Sequence, residues 1–197
     1  MMPEITTHLL QPIPLTPESI KPFGEALTSD GREQLTLVND DELGYHGTID
    51  GFRSDLLLES DAPVEFLMPR FRMREFRVLF MERHPEFTQT YVPVTDAPYV
   101  WVLAPPDARV ENGAPSLDDL QAFINPGDVG IRMHCGTWHE APMPLRDGLR
   151  FVVLSQRTLT DGVIGDVDGG GEIHRLPWIE RVDVTRRLGT AARIELP

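Results

Sequence analysis

The sequence has little of what several large classes of protein require. It contains one cysteine in 197 residues, so no disulfide can form within the chain. It has no run of about 18 consecutive apolar residues, the length that a transmembrane helix needs. The N-terminus, MMPEITTHLL, lacks the basic and apolar segments of a secretory signal. These absences predict a cytoplasmic protein with no membrane partner.

Positive charge is also scarce. Lysine and arginine together number 18, against 31 aspartates and glutamates, and the formal net charge is −13. Such a surface repels nucleic acid and anionic membranes. No P-loop or G-x-G-x-x-G sequence is present, and the glycine run at 169–171 is not followed by a helical pattern. The chain is therefore predicted to bind a small molecule and no nucleic acid.

Long helices are missing as well, because 18 prolines and 16 glycines divide the chain into short pieces. These pieces read as short strands, which favours an all-β barrel or sandwich. Two short helices are predicted, one with Thr16 as N-cap and Pro17 in its first turn, the other with Ser116 as N-cap. We expect an N-terminal extension over 1–30, a β-barrel over 31–160 and a tail over 161–197 that packs on the barrel.

One predicted strand, FRVLFMERH, ends in a polar pair. Because side chains alternate between the faces of a strand, one face carries three apolar residues, a carboxylate and an imidazole: Phe76, Val78, Phe80, Glu82 and His84. Gln89 on the next strand can turn toward the same place, and the three polar groups suit a divalent metal. The alternative is an ion pair with Arg83 at the rim, or a buried histidine that binds nothing.

The segment MHCGTWHEAP holds two histidines, the cysteine and a tryptophan. Gly136 predicts a tight turn before a strand, and the indole of Trp138 is expected to pack against the imidazole of His139. Such a turn delivers His139 into that strand. Together with the segment that carries Glu82 and His84, it would complete the metal site of a β-barrel built from short strands.

Together the two segments resemble the cupins, in which an H-x-H pair, a following acid and a P-x-G-x-x-H turn bind one metal inside a small barrel. Glu82 and His84 align with the paired histidines, Gln89 with the acid and His139 with the last ligand. The chain is most similar to one branch, the ureidoglycolate lyase family, in MERHPEFTQTYVPV, LDDLQAFINPGDVG, CGTWHEAP and RFVVLSQR. It departs from that branch at His134, where tyrosine is usual, and just after His139.

The resemblance implies a mainly all-β, cupin-like double-stranded β-helix or jelly-roll barrel with one or two short helices. It implies a homodimer and a divalent metal (nickel, zinc or manganese) held by Glu82, His84, Gln89 and His139. With the site so placed, proton transfer is assigned to His134 and Glu140. Substrate contacts are assigned to Arg72, Arg132, Arg157, Tyr91 and Trp138, with Arg74 an alternative clamp for the substrate carboxylate.

Three functions stay open at this point. The first is metal-dependent cleavage of ureidoglycolate, an intermediate of allantoin and purine breakdown, to glyoxylate and urea. The second keeps the barrel and the metal but acts on another small hydroxy or keto acid, which the departures at His134 and Glu140 favour. The third is a non-catalytic, acid-binding cupin, which the neutral amide of Gln89 favours because an amide is a poor metal ligand.

Overall fold

The computed structural model describes residues 5–28, 35–38, 49–51, 62–157 and 171–197. Within these ranges strands predominate, and the helical pieces are a 3₁₀ helix, Leu117–Asp119, and the α-helix α1, Val184–Leu188. No helix in the described ranges is both long enough and apolar enough to cross a membrane. The strands, in chain order, are β1 (Thr6–Leu10), β2 (Ile13–Pro14), β3 (Gly24–Leu27), β4 (Leu35–Val38), β5 (Ile49–Gly51), β6 (Val64–Leu67), β7 (Arg77–Val78), β8 (Phe80–Arg83), β9 (Thr90–Pro93), β10 (Tyr99–Ala104), β11 (Val110–Glu111), β12 (Ala114–Pro115), β13 (Gln121–Asn125), β14 (Gly130–Met133), β15 (Trp138–His139), β16 (Met143–Pro144), β17 (Phe151–Gln156), β18 (Ile173–Leu176), β19 (Ile179–Asp183) and β20 (Thr190–Ile194).

Two facing sheets form the body of the fold. The central sheet has the order β18-β19-β8-β15-β10-β13-β2, and the facing sheet has the order β3-β14-β9-β17-β6. Between them lies an inner core of large side chains that includes Tyr91, Tyr99, Trp101, Leu103, Ile131, Met133, Phe151 and Val153. Its aromatic rings meet edge to face, as in the pair Tyr91 and Trp101 at 4.7 Å between centroids. The predicted mainly all-β, cupin-like fold is confirmed.

A third layer covers the other face of the central sheet. The sheet β1-β20-β7 and the helix α1 pack there over an outer core that includes Val78, Met81, Val100, Val102, Trp138, Val182 and Val184. Strand β10 therefore has both faces buried, which explains why its sequence YVWVLA is apolar without alternation. Strand β1 pairs in parallel with β20, so the two ends of the described chain lie side by side.

The predicted helix after Thr16 is wrong. Residues 17–23 form turns, in which Ser19 N–H donates to Thr16 Oγ1 at 3.1 Å, and the chain then enters strand β3. Strand β3 pairs with β14 so closely that a Cβ on Gly24 would lie 2.3 Å from the carbonyl oxygen of Arg132. Strand pairing over a glycine thus overrides the local helix signals.

The second predicted helix forms, but as a single 3₁₀ turn at Leu117–Asp119 whose N-cap Ser116 makes no side-chain capping hydrogen bond. The residues after it, Gln121–Asn125, form β13 instead of continuing the helix. The predicted domain boundaries at 30/31 and 160/161 fall outside the described residues.

The strand predicted over residues 76–84 is interrupted between β7 and β8. Leu79 N–H and Phe80 N–H both donate to Glu140 Oε2, at 2.6 and 2.9 Å, so two consecutive amides point the same way. The alternation shifts by one residue at this break, as it does at a β-bulge. Val78 therefore joins Met81 in the outer core, and the prediction that Val78 shares a face with Glu82 is wrong.

Candidate metal centre

The site lies at the end of the space between the two facing sheets. A cavity of about 210 Å³ opens there, lined by Leu67, Pro69, Phe71, Glu82, Gln89, Tyr91, His139, Ala141, Pro142 and Val153. Most of these residues are apolar, and the polar ones come from both sheets: Glu82 and His139 from the central sheet, Gln89 and Tyr91 from the facing sheet. An apolar cavity with a few convergent polar groups is the usual form of a small-molecule site.

Three predicted metal ligands lie close together at this cavity. Each of Glu82, His84 and His139 offers one ligand atom, and the three atoms lie within 4.8 Å of one another. Glu82 Oε1 is 3.2 Å from His139 Nε2 and 3.9 Å from His84 Nε2. His139 faces Glu82 directly in the antiparallel pair β15–β8, so the two side chains project from the same side of the sheet.

The turn at Gly136 joins the two halves of the site. Gly136 has φ of 80°, a left-handed conformation that glycine adopts without strain. Its N–H donates to the carbonyl oxygen of His84 at 2.8 Å. The turn that precedes His139 is therefore hydrogen-bonded to the segment that carries the first two ligands.

The two imidazoles are oriented for metal binding. Nδ1 of His84 lies 3.3 Å from the carbonyl oxygen of Trp178, and Nδ1 of His139 lies 3.2 Å from that of Thr137. A carbonyl oxygen only accepts, so each Nδ1 carries the proton and each Nε2 presents a lone pair. Within the described residues both Nε2 atoms are buried and without a hydrogen-bond partner. A carboxylate and two neutral imidazoles held by outer hydrogen bonds fit a divalent metal.

Electrostatics keep Glu82 and His84 in their metal-binding forms. Burial acts to raise the pKa of Glu82, but the neighbouring His139, and then His84 and the guanidinium of Arg181, lower it to about 2. Burial and the neighbouring His139 lower the pKa of His84 to about 4. At neutral pH the site therefore offers a carboxylate and an uncharged His84 ring.

Gln89 and Tyr91 line the same cavity, as the sequence predicted for the fourth ligand and one substrate contact. Gln89 is buried, and its Nε2 donates to Ser155 Oγ at 3.1 Å, while its Oε1 accepts a long, 3.4 Å hydrogen bond from the Tyr91 hydroxyl. Burial, and then the charge of Glu82, raise the pKa of Tyr91 well above its usual value. Its hydroxyl therefore acts as a donor.

The two predicted proton-transfer residues do not line the cavity. His134 is exposed, and its Nε2 lies 3.2 Å from the carbonyl oxygen of Lys21. Glu140 is buried with both oxygens occupied: Oε2 accepts from Leu79 and Phe80, and Oε1 accepts from Ala141 N–H and forms a 3.1 Å ion pair with Arg74. Glu140 thus fixes the strand break beside the site, and proton transfer by His134 or Glu140 stays a prediction.

Four of the predicted substrate contacts are also outside the cavity lining. Arg72 and Arg157 are exposed. Arg132 is buried, but it alternates with Ile131 and Met133 of the inner core and so projects from the opposite face of its sheet. Trp138 lies in the outer core, with the Arg83 guanidinium 4.5 Å above its ring. Adjacent residues on a strand point to opposite faces, so the side chain of Trp138 points away from the cavity that His139 faces.

Arg181 contacts the site and was not predicted from the sequence. It lies opposite Glu82 in the pair β19–β8, with Nε 3.9 Å from Glu82 Oε2. The alternation in IERVD places Arg181 and Ile179 on one face, but only the pairing of β19 with β8 brings that face to Glu82.

Comparison with known proteins agrees with these features. A sequence model of the ureidoglycolate lyase family matches residues 7–168, which is most of the chain and includes Glu82, His84, Gln89, Tyr91 and His139. The chain belongs to the ureidoglycolate lyase family. This membership confirms the prediction of an enzyme of the lyase class over that of a non-catalytic cupin.

The chain is also similar in sequence to individual ureidoglycolate lyases. A ureidoglycolate lyase of Burkholderia mallei is 29% identical over 144 residues, which cover 73% of this chain and 79% of that protein. One of Azotobacter vinelandii is 27% identical over 143 residues, covering 73% and 82%. The family match ends at residue 168, before the segment 171–197 that carries Arg181.

Proposed function

We propose that the chain is a metal-dependent ureidoglycolate lyase, which cleaves ureidoglycolate to glyoxylate and urea. Family membership and the names of the relatives support the substrate. The observation that carries the metal dependence is the pair of buried Nε2 atoms, His84 and His139, which face the Glu82 carboxylate and have no hydrogen-bond partner in the described part of the chain.

The reaction requires one proton to leave and one to arrive. The hydroxyl of the α-hydroxy acid loses its proton, the carbon–nitrogen bond breaks as the carbonyl of glyoxylate forms, and the leaving nitrogen gains a proton to give urea. A divalent metal, when bound, supplies Lewis-acid polarisation of the hydroxyl oxygen. Glu82, His84 and His139 would hold this ion, nickel, zinc or manganese, with Gln89 as a further donor from the same cavity.

The remaining groups of the cavity position the substrate. Because its pKa is raised, the Tyr91 hydroxyl keeps its proton and donates a hydrogen bond to a substrate oxygen or to the leaving ureido group. Leu67, Phe71 and Val153 form apolar walls that limit the water around the reacting carbon. These roles require only residues that line the cavity.

A second substrate class is favoured by one observation. Leu67, Phe71 and Val153 give the cavity apolar walls, although the far end of ureidoglycolate is a polar ureido group. Another small hydroxy or keto acid with a less polar far end would fit such walls, and it would use the same metal ligands.

The direct test is glyoxylate release from ureidoglycolate by protein that has been stripped with a chelator and then reloaded with nickel, zinc or manganese. We expect turnover that is lost on stripping and restored by at least one metal. Metal binding without turnover would move the proposal to the second substrate class. Full turnover by the stripped protein would show that the metal dependence is wrong.

A further inference from the structure

The C-terminal hairpin, β18 and β19, extends the central sheet alongside the proposed metal ligands. Strand β19 pairs with β8 over four residues, which sets Arg181 opposite Glu82 and Val182 opposite Met81. The hairpin lies beyond the residues that the family model matches. Two of its groups reach the ligands, one from the turn and one from the strand.

The turn of the hairpin contacts His84. The carbonyl oxygen of Trp178, which follows Pro177 between β18 and β19, is the partner of His84 Nδ1 at 3.3 Å. His84 also stacks on Phe87, with 4.6 Å between ring centroids. The hairpin turn therefore determines which nitrogen of His84 carries the proton and faces away from the metal position.

The strand of the hairpin contacts Glu82 through Arg181. The guanidinium carbon of Arg181 lies 4.0 Å above the centre of the Phe80 ring, and one of its terminal nitrogens donates to the carbonyl oxygen of Gly171 at 2.9 Å. These contacts hold Nε near Glu82 Oε2, at 3.9 Å, on the side away from the imidazoles, which approach Oε1. Arg181 thus engages one carboxylate oxygen and leaves the other to the metal position.

The hairpin is itself firmly attached. Glu172 is buried and accepts two hydrogen bonds from the Arg187 guanidinium, at 2.9 and 2.8 Å, and one from Asp183 N–H at 2.9 Å. Glu180 forms a 2.7 Å ion pair with Arg83 of β8. The groups that reach the ligands therefore project from a fixed element, as preorganised outer contacts require.

We propose that this hairpin is the outer shell of the metal centre, with Arg181 as a positioning residue for Glu82 and the Trp178 carbonyl as the positioning group for His84. The inference rests on the metal centre of the proposed function. Its consequence is that metal affinity depends on residues 171–183, outside the segment that carries the ligands.

The direction in which metal affinity changes when Arg181 is replaced distinguishes a positioning role from a purely electrostatic one. A cation that acted only through its charge would repel a bound metal, and its removal would tighten binding. Loss of an outer contact that orients a ligand instead weakens binding, by about 10- to 100-fold. We therefore expect Arg181→Gln to weaken Ni²⁺ binding by about 10-fold or more, and Arg181→Lys to restore part of the loss.

The experiment measures Ni²⁺ affinity by calorimetry on the full, metal-stripped chain, together with the visible spectrum of the Co²⁺-loaded form. The matched control is Arg193→Gln on β20, which makes the same change in charge but removes a 3.1 Å ion pair with Glu75. We expect it to leave the affinity within about threefold, whereas Arg181→Gln also changes the Co²⁺ spectrum because Glu82 is no longer held. Pro177→Gly, which loosens the turn, is expected to weaken binding as well.

The outcomes separate the two levels of the proposal. A wild-type chain that binds neither Ni²⁺ nor Co²⁺ would overturn the metal centre and the role of the hairpin together. Normal binding by the wild type, with equal or tighter binding and an unchanged spectrum for both Arg181→Gln and Pro177→Gly, would overturn the hairpin's role alone. Equal losses in Arg181→Gln and Arg193→Gln would also overturn it, because they would reflect net charge.

Discussion

Neighbouring residues on the paired strands β8 and β15 lie on opposite faces of the central sheet and have opposite surroundings. Met81 and Trp138 are fully buried in the outer core among apolar side chains. Glu82 and His139, the next residues along each strand, face the cavity, and the Nε2 of His139 has no hydrogen-bond partner in the described residues. The two faces of one strand pair thus separate stability from binding.

The two faces of the strand pair contribute differently to the stability of the fold. A buried polar atom without a partner costs about 1–3 kcal/mol, whereas a close-packed apolar face contributes to stability. The inner face of the strand pair therefore carries polar groups that cost stability when they have no partner and that a bound metal would satisfy. Because the strand repeat is two residues, a shift of one residue would exchange the two sets.

The largest expected effect is on the inner face. His139→Ala removes a proposed ligand, so we expect stoichiometric metal binding to be lost, a larger effect than the ~100-fold that loss of an outer contact costs. The measurement is metal content after dialysis, with calorimetric titration of Ni²⁺. A variant that keeps full metal occupancy would refute the ligand assignment.

The matching change on the outer face is Met81→Ala, one residue from Glu82. Truncating a buried methionine costs about 2–5 kcal/mol, so we expect the free energy of unfolding in urea to fall by that amount. Metal affinity of the folded variant is expected to stay within about threefold of the wild type. If affinity fell as far as stability, the two faces would not be independent.

The smallest expected effect is at His134. Its side chain is exposed, and its Nε2 lies 3.2 Å from the carbonyl oxygen of Lys21, so His134→Ala is expected to change metal affinity and turnover by less than about twofold. The assay is glyoxylate release at saturating metal. A loss of turnover above tenfold with an unchanged Tm would restore the proton-transfer role that the sequence indicated.

Much of the site could be predicted from the sequence because the relevant constraints are local. Alternation on β8 and the tight turn at Gly136 bring Glu82, His84 and His139 together, and alternation on β9 brings Gln89 and Tyr91 to the same cavity. Family resemblance supplied the fold class in the same way, through motifs that each lie within one or two elements.

The errors arose where side-chain direction depends on a partner strand. Glu140 accepts hydrogen bonds from the amides of Leu79 and Phe80, and this contact breaks the alternation that was predicted for residues 76–84. Gly24 has no side chain and so allows the close pairing with β14, and for this reason residues 24–27 form strand β3 instead of the predicted helix. Neither contact has a signal within its own segment.

The sequence by itself determined the β-rich class, through short strands and turns, and the grouping of Glu82, His84 and His139, through motifs that resemble those of the family, because each motif lies within one or two elements. The tertiary structure alone decided that Trp138 and Glu140 stabilise the fold beside the site, and that Arg181 reaches Glu82 from a hairpin near the C-terminus. These facts depend on which strands pair, and pairing is determined by packing between segments far apart in the chain.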